Sequence, residues 1–168
     1  MITPQYCQTI ARYNAWQNNG LRDMIAEMKP SDLKQDRGAF FGSILGTLNH
    51  LLWGDTLWMS RFDGGAGSEL SIAQSIDLTP TPAVWAADRF RMDARITLWA
   101  ARVRAVDLVG DLKWFSGAAN QDMVKPMALC VAHFFNHQTH HRGQIHAMLT
   151  AAGKKPAATD LPFMPEDI

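Results

Sequence analysis

The sequence is poor in several features that define whole classes of proteins. It has only two cysteines, Cys7 and Cys130, which is too few for a disulfide scaffold. Its 16 basic and 16 acidic residues cancel, and the basic ones are scattered, so a charged surface for nucleic acid is lacking. No apolar run reaches the roughly 18 residues of a membrane span, and no signal-peptide pattern begins the chain. We therefore expect a cytoplasmic protein with no nucleic-acid or membrane partner.

Sequence motifs of several common enzyme classes are also missing. There is no P-loop, no G-x-S-x-G nucleophile motif, no dinucleotide fingerprint and no C-x-x-C pair. What the chain does contain is 47% hydrophobic residues in a length of 168, which suits one domain with a sizeable core. We expect residues 1–168 to form a single domain.

Helical signals divide the chain into four long segments. Thr3-Pro4 and Thr81-Pro82 each predict a helix start, because the threonine hydroxyl caps free backbone N–H groups and proline fits the first turn. The first helix is predicted to end before Lys29-Pro30. The second is predicted over about residues 38–62, and the fourth over about residues 126–152. These periodicities indicate an all-α fold.

Three further segments have weaker patterns. Apolar and polar residues alternate around the turn at residues 117–120, which predicts a short β-hairpin between the third and fourth helices. The last dozen residues, which contain Pro162 and Pro165, are predicted to form a non-helical strap. On the third helix Arg89 interrupts the apolar stripe, and we interpret it with its neighbouring arginines and aspartates as a solvated face.

Four of the six histidines fall between His133 and His141. His137 and His141 lie one helical turn apart on the same face, and two imidazoles at that spacing can bind one metal ion. Both occupy the apolar stripe of the predicted helix, where unpaired imidazoles would be costly. The alternative is a pair of core histidines satisfied by hydrogen bonds. A zinc-type site needs at least one more protein ligand.

His50 is the candidate third ligand. It lies on the second helix in a row of small residues, Ser43, Thr47 and Gly54, at steps of four and three. Small side chains leave room for a metal and, we expect, for a substrate that enters beside them. Asp55 lies further round the helix and is not favoured as a base.

Three motifs together resemble the DinB family and cover nearly the whole chain. They are YNxWxN at residues 13–18, TLNHLLW at residues 47–53 and NHxxHHRGQ at residues 136–144. The resemblance implies a four-helix bundle of up-down-down-up topology, a homodimer, and a divalent metal on His50, His137 and His141. It also implies a small-molecule substrate, since the wider superfamily includes transferases and isomerases that use low-molecular-weight thiols, beside proposed hydrolases.

Three neutral imidazoles would leave the ion its full charge and an open position, as in catalytic sites. We predict one divalent ion, zinc or nickel, with iron and manganese as further options. His140 is a candidate proton acceptor, with a surface histidine as the alternative. Gln144 is a candidate for orienting a water or a substrate carbonyl, with a helix-surface glutamine as the alternative.

The expected function is that of a metal-dependent hydrolase or low-molecular-weight-thiol transferase. The alternative is a non-catalytic metal-binding stress-response protein that stores or senses the ion. A deep polar cavity over the metal would favour the enzyme, and a site closed by side chains would favour the alternative. Aromatic residues beyond the needs of one helical core, including Trp53, Trp58 and Trp114, also favour a homodimer.

Overall fold

The computed structural model describes residues 2–166, and most of them are helical. The α-helices are α1 (Pro4–Ala26), α2 (Pro30–Lys34), α3 (Ile44–Asp63), α4 (Pro82–Arg102) and α5 (Met127–Ala151). Two strands, β1 (Asp111–Ser116) and β2 (Gln121–Pro126), pair antiparallel between α4 and α5, which confirms the predicted hairpin. None of the described helices is long and apolar enough to cross a membrane. Met1 and Ile168, the bounds of the predicted domain, lie outside the described residues.

The two Thr-Pro helix starts are confirmed. Thr3 Oγ1 accepts a hydrogen bond from the backbone N–H of Tyr6, and Thr81 caps α4 in the same way through Val84. In both helices the following proline occupies the first turn, where its missing N–H leaves no intrahelical bond unmade. These caps fix where α1 and α4 begin.

The predicted start of the second long helix is wrong by several residues. Ser43 caps α3 with its hydroxyl, so the helix begins at Ile44 instead of near Gly38. Gly38 and Gly42 have φ values of 71°, a left-handed conformation that cannot continue a right-handed helix. The segment between them forms a tight turn, in which the Gly42 N–H donates to the Ala39 carbonyl.

The core is built where the long helices face one another. Helix α1 packs on α4, and α3 packs on both α4 and α5. Large side chains from each of these helices are fully buried, for example Ile25, Leu48, Trp85 and Phe134. The predicted C-terminal strap follows α5 and lies on α1, where Tyr13 Oη donates to the Thr159 carbonyl at 2.6 Å.

Arg89 contradicts the predicted solvated face. Its side chain is fully buried, and it forms ion pairs with Asp55 at 2.5 Å and Asp93 at 2.8 Å. Gln138 of α5 donates to the other oxygen of Asp55 at 2.9 Å, and Asn18 of α1 donates to Asp93. Arg89 therefore interrupts the apolar stripe because it joins polar groups from four helices, and Asp55 serves this network and not the histidines.

Candidate metal centre

Three histidines from two helices converge at one point between α3 and α5. His137 Nε2 lies 3.3 Å from His50 Nε2 and 3.0 Å from His141 Nε2. The three possible ligand atoms all lie within 4.8 Å of one another. The structure therefore brings together the three histidines that the sequence singled out.

The separations suit a common metal ligand sphere. A tetrahedral ion with metal–nitrogen bonds of about 2.0–2.1 Å holds its ligand nitrogens roughly 3.3 Å apart. The separations of His137 Nε2 from the other two nitrogens, 3.3 and 3.0 Å, are close to that value, and all three ligand atoms lie within 4.8 Å of one another. The group is thus compact enough to hold an ion.

Hydrogen bonds at Nδ1 of His50 and His141 show where each ring carries its proton. They therefore also show that Nε2 of each ring is the unprotonated nitrogen. The Ser75 hydroxyl donates to the Ile72 carbonyl, so its oxygen accepts from His50 Nδ1 at 3.0 Å. Gln144 Oε1 accepts from His141 Nδ1 at 2.8 Å. With Nδ1 protonated on both rings, each Nε2 presents a lone pair to the centre.

A cation can bind all three Nε2 lone pairs, whereas hydrogen bonds among the three histidines cannot pair them all. His137 has one Nε2 proton at most, so it can donate to only one of the two lone pairs of His50 and His141. His137 Nδ1 is buried and has no partner within residues 2–166, with or without an ion at Nε2. A divalent ion would accept all three Nε2 lone pairs at once, so the residues present fit a metal.

Burial keeps these imidazoles neutral. Burial, and then the nearby His141, lowers the pKa of His50 from 6.5 to about 4. Burial also lowers the pKa of His137 to about 3, with His141 and His50 as the next causes. For His141 burial again lowers the pKa, and its bond to Gln144 opposes that shift. Neutral imidazole is the form that binds metals.

Ser75 belongs to a segment for which sequence periodicity gives no signal, and Asn49 holds that segment in place. Asn49 Nδ2 donates to the backbone carbonyls of Ile76 at 2.7 Å and Thr79 at 3.1 Å. The Thr79 hydroxyl donates back to Asn49 Oδ1 at 2.6 Å. The asparagine beside His50 therefore positions the chain that carries the hydrogen-bond partner of His50.

Phe41 covers the cluster from the turn before α3. Its ring stacks on the His50 ring with centroids 3.7 Å apart, and it lies 5.5 Å from the His141 ring. His50 and His141 are 3% and 6% exposed, whereas His137 is half-buried. Phe41 falls within the helix predicted over about residues 38–62, but its contact with the site follows from the turn between Gly38 and Gly42.

Gly54 does not have its predicted role. A Cβ atom at this position would lie 2.8 Å from Cε1 of His137, so the space is filled by the histidine ring and not left for a substrate. The small residue is needed because α5 brings that ring against the backbone of α3. The expectation that this small residue leaves room for a substrate therefore does not hold at Gly54.

Gly54→Ala is expected to weaken metal binding by displacing His137. An added methyl group in so close a contact costs about 1–3 kcal/mol of strain, which falls on a ring of the cluster. Gly143→Ala on α5 is the matched control, since a Cβ there meets no atom within 4 Å. Competition with a coloured chelator measures both affinities. Equal affinities in the two variants would show that His137 tolerates the contact.

The candidate catalytic residues lie next to the cluster. Gln144 bonds to His141, so its observed contact is with a histidine of the cluster. His140 is exposed, and its ring packs edge-on against His141 with centroids 4.9 Å apart. Their predicted roles in catalysis stay predictions. His133 is exposed and His146 half-buried, and neither belongs to the group that gathers around the centre.

These features define a mostly helical protein in which two helices present a three-histidine cluster able to hold a metal ion. A sequence model of the DinB family matches residues 1–167, and the chain belongs to that family. Protein DinB of Bacillus subtilis (strain 168) is 26% identical over 152 residues, which are 88% of this chain and 87% of that protein. The resemblance drawn from the three motifs is confirmed.

Proposed function

We propose that this protein binds one divalent metal ion through Nε2 of His50, His137 and His141. The observation that carries the proposal is the convergence of three Nε2 atoms, two of them set as acceptors by Ser75 and Gln144. Zinc or nickel is the proposed ion, with iron and manganese as further options, because neutral imidazole suits several divalent ions.

We also propose that the four long helices form one domain, an up-down-down-up bundle. Contacts between pairs of helices support it. His50 and Trp58 of α3 contact His141 and His133 of α5 in reverse order, which suits antiparallel neighbours.

Two other pairs of helices follow the same scheme. Asp55 and Asp63 of α3 pair with Arg89 and Arg95 of α4 in the same order, which suits parallel neighbours. On α1, Asn18 and Arg22 contact Asp93 and Phe90 of α4 in reverse order.

The proposed activity is that of a metal-dependent hydrolase or low-molecular-weight-thiol transferase acting on a small molecule. A divalent ion on three neutral ligands would lower the pKa of a water or thiol at its open position. Gln144 would hold the His141 ring in place, and His140 would accept the released proton from the exposed side. His137, the least buried of the three, marks the side from which a substrate approaches. The two unpaired cysteines are consistent with the proposed cytoplasmic location.

A second candidate function is non-catalytic storage or sensing of the ion in a stress response. The observation that favours it is the cover over the cluster: Phe41 stacks on His50, and both His50 and His141 are nearly inaccessible. A ligand that must enter here needs the Phe41 turn to move.

The test that separates the two functions compares the metal-free and metal-loaded protein. Purified protein is analysed for metal and screened with hydrolysable esters, amides and thiol conjugates. Turnover that requires the metal and rises with pH through one ionisation supports the enzyme. A stoichiometric ion with no turnover in the screen supports storage or sensing, and equal turnover without metal contradicts the catalytic proposal.

Metal retention is expected to persist to lower pH than at an exposed histidine site. The pKa values of His50 and His137 are lowered from 6.5 to about 4 and about 3, so protons compete with the metal only in that acidic range. Unfolded histidines take up protons below about 6.5, which lowers the stability of the metal-free fold as pH falls. Metal content at stepped pH, with circular dichroism at each step, measures retention. Loss of half of the metal near pH 6.5, while the protein is still folded, would contradict this prediction.

A homodimer is proposed, but on a different surface from the predicted one. Trp53 is 9% exposed, and Trp58 and Trp114 pack on each other, so these residues are engaged within the chain. On α4 Phe90 and Leu98 are 62% and 55% exposed on one side of the helix. Exposed apolar residues on one face suit burial against a second copy.

Light scattering at micromolar concentration is expected to give the mass of a dimer. The double substitution Phe90→Glu and Leu98→Glu should give a monomer, because it places charges in the proposed interface. Leu129→Glu, at a position on α5 that is 56% exposed, is the matched control. A monomeric wild-type protein would rule the dimer out.

A further inference from the structure

One arginine beside the histidine cluster is held by aromatic rings. The Arg61 guanidinium carbon lies 4.5 Å from the centre of the Trp58 ring and 5.2 Å from that of Trp114. The two tryptophan rings contact each other edge to face with centroids 5.6 Å apart. Trp58 belongs to α3 and Trp114 to β1, so the helix and the hairpin together fix the position of this cation.

Arg61 differs from Arg89 and Arg95 in having no acceptor among residues 2–166. Arg89 pairs with buried carboxylates, and Arg95 pairs with Asp63 at 2.7 Å. Within residues 2–166 the Arg61 guanidinium forms no hydrogen bond and no ion pair. It is half-buried, and burial lowers its pKa, an effect that the nearby Cys130 opposes. Stacking on aromatic faces leaves the N–H edges of a guanidinium free to bind a carboxylate.

Arg61 lies along the same seam as the three histidines. His50, Gly54, Trp58 and Arg61 follow one another on α3 at steps of four, four and three, which keeps them on one face. Opposite them on α5, the His133 ring lies 5.1 Å from Trp58 and 5.7 Å from His137, measured between centroids. A continuous line of rings thus connects the guanidinium to the half-buried histidine of the cluster.

The distance suits a small molecule with two functional ends. The Arg61 guanidinium lies over the Trp58 ring, and Trp58 follows His50 by eight residues, or about 12 Å along the helix axis. The separation between the centre and the guanidinium is therefore on the order of 10 Å. A ligand spanning it would meet positive charge at both ends, because the histidines are neutral and leave the ion its charge.

We propose that Arg61 is a substrate-binding residue that holds the carboxylate of an elongated anionic substrate whose reacting end lies at the three-histidine centre. This inference rests on the proposed metal-dependent function and adds the substrate class. Trp58 and Trp114 position the guanidinium, and the exposed His133 ring lies between the two ends. Substrates that carry a neutral group in place of the carboxylate bind more weakly.

The test uses the cobalt(II)-loaded protein and simple thiols as probes. Thiolate binding to cobalt adds a near-ultraviolet charge-transfer band, which reports binding without turnover. The probes are the ω-mercaptocarboxylates from mercaptoacetate to 6-mercaptohexanoate, each compared with the mercaptoalcohol of equal length. We expect the best carboxylate to bind about tenfold more tightly than its alcohol, as one charge-assisted bidentate contact would provide, with an optimum in chain length.

Variants assign the preference to Arg61. Arg61→Gln should remove the preference for carboxylates and leave the spectrum of the bound cobalt unchanged. The control Arg102→Gln, which removes an exposed charge from α4, should keep the preference for carboxylates. The wild-type comparison stands by itself if Arg61→Gln does not fold. Equal binding of carboxylates and alcohols to the cobalt protein, or a preference that survives in Arg61→Gln, overturns the inference and leaves the metal proposal intact. Failure of the protein to bind cobalt overturns the metal proposal first.

Discussion

Alanine in place of His50, His137 or His141 is expected to reduce metal content to background in the purified protein. Each substitution removes one of three converging Nε2 atoms, and two imidazoles do not complete a zinc-type site. Loss of an outer partner of a metal ligand alone costs about 10–100-fold in affinity, so loss of a ligand exceeds that range. Metal analysis after dialysis against a weak chelator measures the content.

The controls use histidines of the same helix. His133→Ala and His146→Ala change residues outside the cluster and should leave the metal content nearly intact. Circular dichroism and chromatography establish that each variant is folded. A His50→Ala protein with full metal occupancy would falsify the three-ligand assignment, because it would leave both remaining histidines on α5.

Asp55→Ala is expected to destabilise the fold by about 3–5 kcal/mol, the usual cost of removing one partner of a buried ion pair. Asp55 accepts from Arg89 and Gln138 where all three side chains are inaccessible to solvent. Burial raises the pKa of the Asp55 carboxyl, and the Arg89 guanidinium opposes that rise. Without Asp55, Arg89 keeps Asp93 as its charged partner in the core.

Asp63→Ala is the matched control, because it breaks an ion pair between the same two helices nearer the surface. Asp63 and Arg95 are partly exposed, and such pairs contribute about 0–1 kcal/mol. Urea unfolding of both variants at one pH and one metal load gives the free energies of unfolding. Similar losses in the two variants would contradict the special role of the buried pair.

The sequence could predict the helices and the three histidines because both depend on local rules. Thr-Pro caps determine the starts of α1 and α4, and the spacing of His137 and His141 follows from the helical repeat. His50 was found because small residues flank it, although the reason for Gly54 was wrong. The glycine makes room for a ring from another helix, a packing fact that the sequence of α3 alone cannot contain.

The missed features depend on contacts between distant segments. Ser75 meets His50 because Asn49 binds the backbone of an irregular segment, and no periodicity marks such a contact. Phe41 covers the site because Gly38 and Gly42, which both have positive φ, place it in a turn and delay the start of α3 to Ile44. Arg89 was assigned to the surface because arginines usually lie there, whereas its carboxylate partners come from α3 and from one turn further along α4.

The Asn49 and Ser75 contacts couple the link between α3 and α4 to the histidines, so the mobility of this link should depend on metal binding. Residues 64–81 are largely exposed and contain a single short 3₁₀ turn, so they would be an easy target for proteases. Ser75 attaches this segment to the His50 ring, so an ion that immobilises the ring also restrains the surface chain. Cleavage within residues 64–81 should therefore slow as the metal site fills. The rate of proteolysis at this surface segment would then report the metal occupancy of the buried histidines.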